Sequence, residues 1–139
     1  MRATRLRVEY LKNPIGIDIT KPRLSWNCEG GKKQSAYRIV AMNDSSEILW
    51  DSEKVISSQM VHIPWDSTDL SSRAIVDWKV CLWDENDVQG EWSEEASFEI
   101  GLLEKSDWKA EWITGNYKVN KKKRYPVDCF RKTFTICFQ

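Results

Sequence analysis

Residues 76–83, V-D-W-K-V-C-L-W, alternate strictly, with Val76, Trp78, Val80 and Leu82 on one face and Asp77, Lys79, Cys81 and Trp83 on the other. A period of two marks a strand with one buried side. Residues 84–90, rich in Asp, Asn and Gly, supply the backbone angles of a reversal. The return strand, 96–100, puts Ala96, Phe98 and Ile100 on one face. A hairpin this apolar on one side is not stable alone in water, so the remaining chain must provide a second sheet.

Upstream, the same alternation predicts five further short strands. Residues 6–11 read as the first, broken by N-P-I-G at 13–16. Residues 22–28 form the second, with Leu24 and Trp26 inward and Pro22 at its start, where a missing N–H is tolerated. After the E-G-G-K-K turn, residues 35–42 form the third, with Tyr37, Ile39 and Ala41 on one face. Residues 47–50 and 60–63 complete the set, the latter stopped by Pro64. Seven short strands at turn spacings of about 8 to 12 residues predict an all-β, seven-stranded antiparallel sandwich. No helix of three or more turns is predicted; residues 102–108 have the makings of a single turn.

Past Gly101 the pattern changes. The expected organisation is a sandwich over 1–103, a linker over 104–128, and a strand over 129–139. That last strand alternates Phe130, Lys132, Phe134, Ile136 and Phe138 against Cys129, Arg131, Thr133, Thr135 and Cys137. A lone apolar strand is an aggregation hazard, so it reads as the opening strand of a truncated second β-domain.

Composition narrows the function. The 139 residues carry 21 basic and 21 acidic side chains, a formal net charge of zero. That balance argues against a nucleic-acid partner. No apolar run reaches the roughly 18 residues of a membrane span, so no membrane partner is implied. The basic N-terminus lacks the apolar segment of a secretory signal. Four cysteines, Cys28, Cys81, Cys129 and Cys137, allow three pairings. A Cys28–Cys81 bridge between the sheets is opposed by phase, since Cys81 falls on the outward face, and reduced thiols are expected. With no C-x-x-C pair and His62 the single histidine, no zinc site and no cofactor are implied.

Glycoside cleavage needs two carboxyl groups about 5 to 9.5 Å apart across a cleft. Asp84, Glu85 and Asp87, or Glu94 and Glu95, are near enough in sequence, but they read more simply as a solvated turn and strand start. Residues 84–87 lack the residue order of a calcium loop. His62 has no nucleophile setting, and the basic run 121–124 reads as solvated linker. No catalytic residue is expected. Eight tryptophans are the more informative excess. Trp26 and Trp78 are inward by phase and expected in the core. Trp83 is outward by phase, Trp92 borders the same hairpin, and Trp50 and Trp65 flank loops. Trp65, Trp83 and Trp92 are the candidates for stacking on a sugar ring; burial by a neighbouring domain is the favoured alternative.

Ordered segments carry a resemblance. L-S-W (24–26), Y-R-I (37–39) and W-K-V-C-L (78–82) resemble strands B, C and F of a fibronectin type III domain, with Trp78 where that fold usually has Tyr. More specifically, the chain resembles the N-terminal fibronectin type III-like, or Ig-like, module of bacterial α-L-rhamnosidases of glycoside hydrolase family 78. The segments are L-R-V-E-Y-L-K-N-P-I-G-I-D (6–18), P-R-L-S-W (22–26), Q-S-A-Y-R-I-V (34–40), L-W-D-S-E-K-V (49–55), W-K-V-C-L-W-D-E-N (78–86) and W-S-E-E-A-S-F-E-I-G-L-L (92–103). D-W-K-A-E-W-I (107–113) and F-R-K-T-F-T (130–135) resemble its continuation into the next β-domain. In that family the catalytic carboxylates lie in a downstream (α/α)6 barrel, of which nothing is found here. The resemblance implies a non-catalytic, structural module whose partners are downstream domains of the same enzyme. The alternatives are a carbohydrate-binding module using exposed Trp, or a general protein-interaction fibronectin III domain.

Overall fold

The computed structural model describes residues 1–113, 115, 117–118, 120–125 and 127–133. The chain divides into two compact units, Met1–Trp108 and Lys109–Gln139. The first unit is all-β. Its strands are β1 (Arg2–Val8), β2 (Arg23–Glu29), β3 (Ala36–Asn43), β4 (Ile48–Asp51), β5 (Val55–Ile56), β6 (Ile63–Pro64), β7 (Ile75–Trp83) and β8 (Ala96–Glu99). They form two antiparallel sheets, a smaller one ordered β1-β2-β6 and a larger one ordered β4-β3-β7-β8, with β5 also on β3.

The alternation fixes the register of the larger sheet. Tyr37, Ile39 and Ala41 stand directly opposite Leu82, Val80 and Trp78. One slip by a residue would turn every one of these side chains to water. The smaller sheet contributes Ala3, Leu6, Val8, Leu24, Trp26 and Ile63 to the same core. Trp26 and Trp78 are 1% and 0% exposed, as the alternation predicts. Each seals one layer, and truncating such a ring to alanine costs roughly 3–5 kcal/mol.

Among the described residues the strand count is eight rather than seven. Val55–Ile56 adds a two-residue strand on β3, and the expected strand over 60–63 reduces to Ile63–Pro64 on β2. Residues 57–62 run outside the ladder, and Gln34 holds their first half: its Nε2 donates to Ser57 O at 3.0 Å and Gln59 O at 2.9 Å, while Met60 O still accepts from Trp26 N at 2.9 Å. Its Oε1 accepts from Trp26 Nε1 at 3.0 Å. A buried amide thus replaces strand pairing, in keeping with the rule that buried polar groups are satisfied.

The predicted single turn is a 3-10 turn at Lys105–Asp107. Asp107 accepts from the Ser72 hydroxyl, and Leu103 N donates to Ser72 Oγ at 3.0 Å, tying the end of the sandwich to the loop before β7. In the second unit, residues 129–133 form no strand, and the remainder of the strand expected over 129–138 lies outside the described residues.

Candidate functional site

The hairpin of β7 and β8 positions the candidate face. Its turn is closed by Asp84, whose Oδ1 accepts from Asn86 N at 2.9 Å and Val88 N at 3.0 Å. The returning chain pairs irregularly before β8: Gly90 N donates to Leu82 O and Ser93 N to Val80 O, both at 2.8 Å. Ser93 turns inward, 8% exposed, and its Oγ accepts from Val80 N at 3.0 Å. Gly90 is required by a close approach, because a Cβ there would lie 1.7 Å from Met1 O. This irregular return swings Trp92 onto the outer face of the larger sheet.

On that face Trp83, Cys81 and Ala36 form a satellite cluster with Trp92 packed against it. Lys54 Nζ lies 4.9 Å from the Trp83 ring centroid and Lys79 Nζ lies 5.5 Å from that of Trp92, both within cation–π range. Lys54 also pairs with Asp87 at 2.5 Å. Arg38 grips Asp51 through Nε and a terminal nitrogen at 2.9 and 2.5 Å; that hydrogen-bonded guanidinium holds the Asp51 carboxyl below its ordinary value. Ile56, Ala36 and Trp83 share one register row, and Ile56 is 76% exposed. The face is therefore a partly covered apolar floor crossed by aliphatic lysine and arginine stems, which shield such a floor while keeping their charges in water.

The outward phase of Trp83 and Cys81 holds, but neither is exposed: Trp83 is 9% and Cys81 0% accessible. Burial pushes the Cys81 thiol up, and its Sγ donates to Gly90 O at 3.3 Å. Trp92 is half-buried beside them. Trp65 is elsewhere. It is 2% exposed, packs against Trp50 and Phe98 in the main core, and donates Nε1 to Thr68 O at 2.9 Å. No face of its ring is open for stacking. The structure thus brings Trp83 and Trp92 together and separates Trp65 from both.

Four of the five acidic candidates, Asp84, Glu85, Asp87 and Glu94, have a structural partner. Glu85 Oε2 accepts from Lys32 N at 3.0 Å and Lys33 N at 3.3 Å, which draws its carboxyl below the ordinary range and clamps two turns together. Backbone N–H groups do the same for Asp84. Glu94 lies 3.8 Å from Arg2. His62 Nε2 meets Tyr10 Oη, and the His62 backbone N–H donates to Ser25 Oγ at 3.2 Å. The run 121–124 is exposed. Cys28, Cys81 and Cys129 are free thiols. Among the described residues no group of three or more His, Cys, Asp or Glu is placed to hold a metal, and no helix is long and apolar enough to cross a membrane. Gln34 and Ser93, the two buried polar side chains among the described residues, went unnoticed in the sequence. Nothing in the local sequence marks them: Gln34 lies between Lys33 and Ser35, and Ser93 between Trp92 and Glu94, as surface residues do.

Residues 3–104 match the family described as "Rha78A-like, N-terminal immunoglobulin domain". An alpha-L-rhamnosidase of Formosa agariphila is 43% identical over 113 residues, covering 76% of this chain and 12% of the relative. The structure of Streptomyces avermitilis alpha-L-rhamnosidase complexed with L-rhamnose superposes with a TM-score of 0.72 at 37% identity, over 81% of this chain and 12% of that one. Alpha-L-rhamnosidase from Dictyoglumus thermophilum gives 0.70 at 34% identity, over 81% and 14%. The chain therefore spans about an eighth of the length of the relatives it matches.

Proposed function

The chain belongs to the Rha78A-like N-terminal immunoglobulin domain family, and from that premise we propose that it is a non-catalytic module of an α-L-rhamnosidase with a domain-packing role. The observation that carries this reading is the match at 43% identity confined to 12% of a rhamnosidase relative. Physical chemistry supports it. Hydrolysis of a glycoside asks for two free carboxyl groups across a cleft. Here Asp84, Glu85 and Asp87 are spent on turn hydrogen bonds and an ion pair.

The packing surface we assign is the outer face of the larger sheet. Exposed Ile56 and half-buried Trp92 border the Trp83 floor there, and a neighbouring domain of the same enzyme would complete its burial. The sugar-stacking alternative is less favoured at Trp83, whose ring already carries Lys54. The purified chain incubated with an aryl α-L-rhamnoside should release no phenol above the blank. Saturable turnover by this chain would overturn the non-catalytic reading.

A further inference from the structure

A concavity lies along the side of the sandwich where β1 passes the start of β8. Two seams flank it. At one end Arg2 bridges to Glu91 in parallel. At the other, residues 13–17 cover the edge of β8: Glu99 N donates to Pro14 O, and Gly16 N donates to Glu99 O, both at 2.9 Å. Between the seams no backbone pairing joins β1 to residues 94–96, only the side-chain contact of Arg2 with Glu94 at 3.8 Å, and a groove of 480 Å³ remains.

The floor of this groove is shaped by a bulge. Thr4 pairs with Asn27 and Arg7 with Ser25, so Arg5 and Leu6 together oppose the single residue Trp26. Leu6 turns into the core, while Arg5 is exposed and lines the groove. Arg5 adopts φ 51°, the left-handed conformation that glycine takes without strain. A long cation has been placed where the backbone favours no side chain, and the bulge aims it at the opening.

Arg7 and Lys12 line the same groove. Among the described residues none of Arg5, Arg7 and Lys12 has a carboxylate within ion-pair distance. Beside them the Arg2 Nε is buried without a partner. Across the groove stand Glu94 and Glu95, with Asn13 at one end. The lining is thus cationic on one wall and rich in hydrogen-bond acceptors on the other. A polyanion would meet the two carboxylates and be repelled. A molecule with one acid group and several hydroxyls suits both walls: guanidinium and ammonium groups hold the carboxylate, and Glu94 and Glu95 accept from hydroxyls, while Asn13 Oδ1 already accepts from Ser97 N at 3.3 Å. The volume falls within the range of small-ligand sites, about 300–1,000 Å³.

We propose that this groove binds a sugar acid, a saccharide bearing a single uronate, with Arg5, Arg7 and Lys12 on the carboxylate. The proposal is independent of the module's place in a rhamnosidase. Its test is an NMR titration of the whole chain with methyl glucuronide, with methyl glucoside and sodium acetate as parallel probes. The uronoside should shift the amide signals of Thr4, Arg5 and Ala96 saturably, and the other two probes should not. Arg5→Gly, which the bulge accepts without strain, should weaken binding at least fivefold while leaving the rest of the spectrum intact. The double variant Arg7→Gln, Lys12→Gln should remove it. No saturable shift, an equal response to the glucoside, the same shifts with acetate alone, or full binding by Arg5→Gly would each overturn the proposal.

Discussion

Gln34 offers the sharpest perturbation of the fold. It is 2% exposed and joins three parts of the chain: Trp26 on β2, Ser57 and Gln59 in the segment that leaves the ladder, and its own position before β3. Replacing it with leucine keeps most of the side-chain bulk but removes three good hydrogen bonds. At a net value of about 1 kcal/mol each, the loss is about 3 kcal/mol. Leaving Trp26 Nε1 buried without a partner moves the cost upward within a range of roughly 2–5 kcal/mol, whereas the carbonyls of half-buried Ser57 and exposed Gln59 add less. For a domain of this size about 3 kcal/mol corresponds to a fall in Tm of roughly 12–24 °C. Urea unfolding followed by tryptophan fluorescence measures it directly. Gln34→Glu adds a sign. A carboxylate there faces Ser57 O and Gln59 O, so its folded pKa is raised, and stability is retained at low pH and lost as pH rises. Gln34→Glu should therefore be less stable at about pH 7.5 than at about pH 5.5 relative to the parent chain. A Gln34→Leu variant within about 1 kcal/mol of the parent would refute the view that this amide holds the irregular segment in place.

Three further outcomes follow from the same contacts. Glu9, Asp51 and Glu85 are held below their ordinary values of 4.5, 3.8 and 4.5 by Arg23, by Arg38 and by the Lys32 backbone N–H respectively. Each binds a proton more weakly folded than unfolded, so urea midpoints should be level near neutrality and fall once pH drops below about 4.5; a midpoint that rises on acidification would contradict these assignments. Burial pushes the Cys28 and Cys81 thiols up, whereas Cys129 is exposed. Iodoacetamide labelling mapped by mass spectrometry should therefore mark Cys129 at once and the other two only in denaturant, and early labelling of Cys81 would show that Trp83 and Trp92 do not cover it. Gly90→Ala would set a Cβ against the Met1 carbonyl and should displace the first residues at a cost of about 1–3 kcal/mol, read as a lower urea midpoint; an unchanged midpoint argues that the N-terminus does not pack there.

The sandwich was legible wherever alternation ran for four residues or more. The period of two in β3 and β7 predicted which side chains face inward, and the register pairs those same residues. Trp65 shows the limit. It follows Pro64 in a two-residue strand, so no period sets its phase, and its burial comes from Trp50, Phe98 and the Thr68 carbonyl. The burial of Trp83 and Cys81 was hidden for another reason. Phase places them outward correctly, but Trp92 and Lys54 then fold over them, and nothing in a strand's own pattern encodes that cover. The bulge at Arg5 was invisible because two residues must be counted against one on a different strand. Gln34 follows a Gly-Gly-Lys-Lys turn and reads as surface until Ser57 and Gln59 are seen beside it.

The packing role rests on a comparison between enzymes with and without this module. In the Streptomyces avermitilis relative, the equivalent N-terminal residues can be deleted, or exchanged for residues 3–104 of this chain, the stretch that matches the family. Thermal inactivation and kcat/KM on an aryl rhamnoside are then measured for all three forms. The account predicts that deletion shortens the half-life at elevated temperature, that the exchange restores it, and that enzyme still folded cleaves with kcat/KM within about twofold of the parent, a change of under 1 kcal/mol in transition-state stabilisation. A deletion form as long-lived as the parent, or one that stays folded but loses turnover, would contradict it.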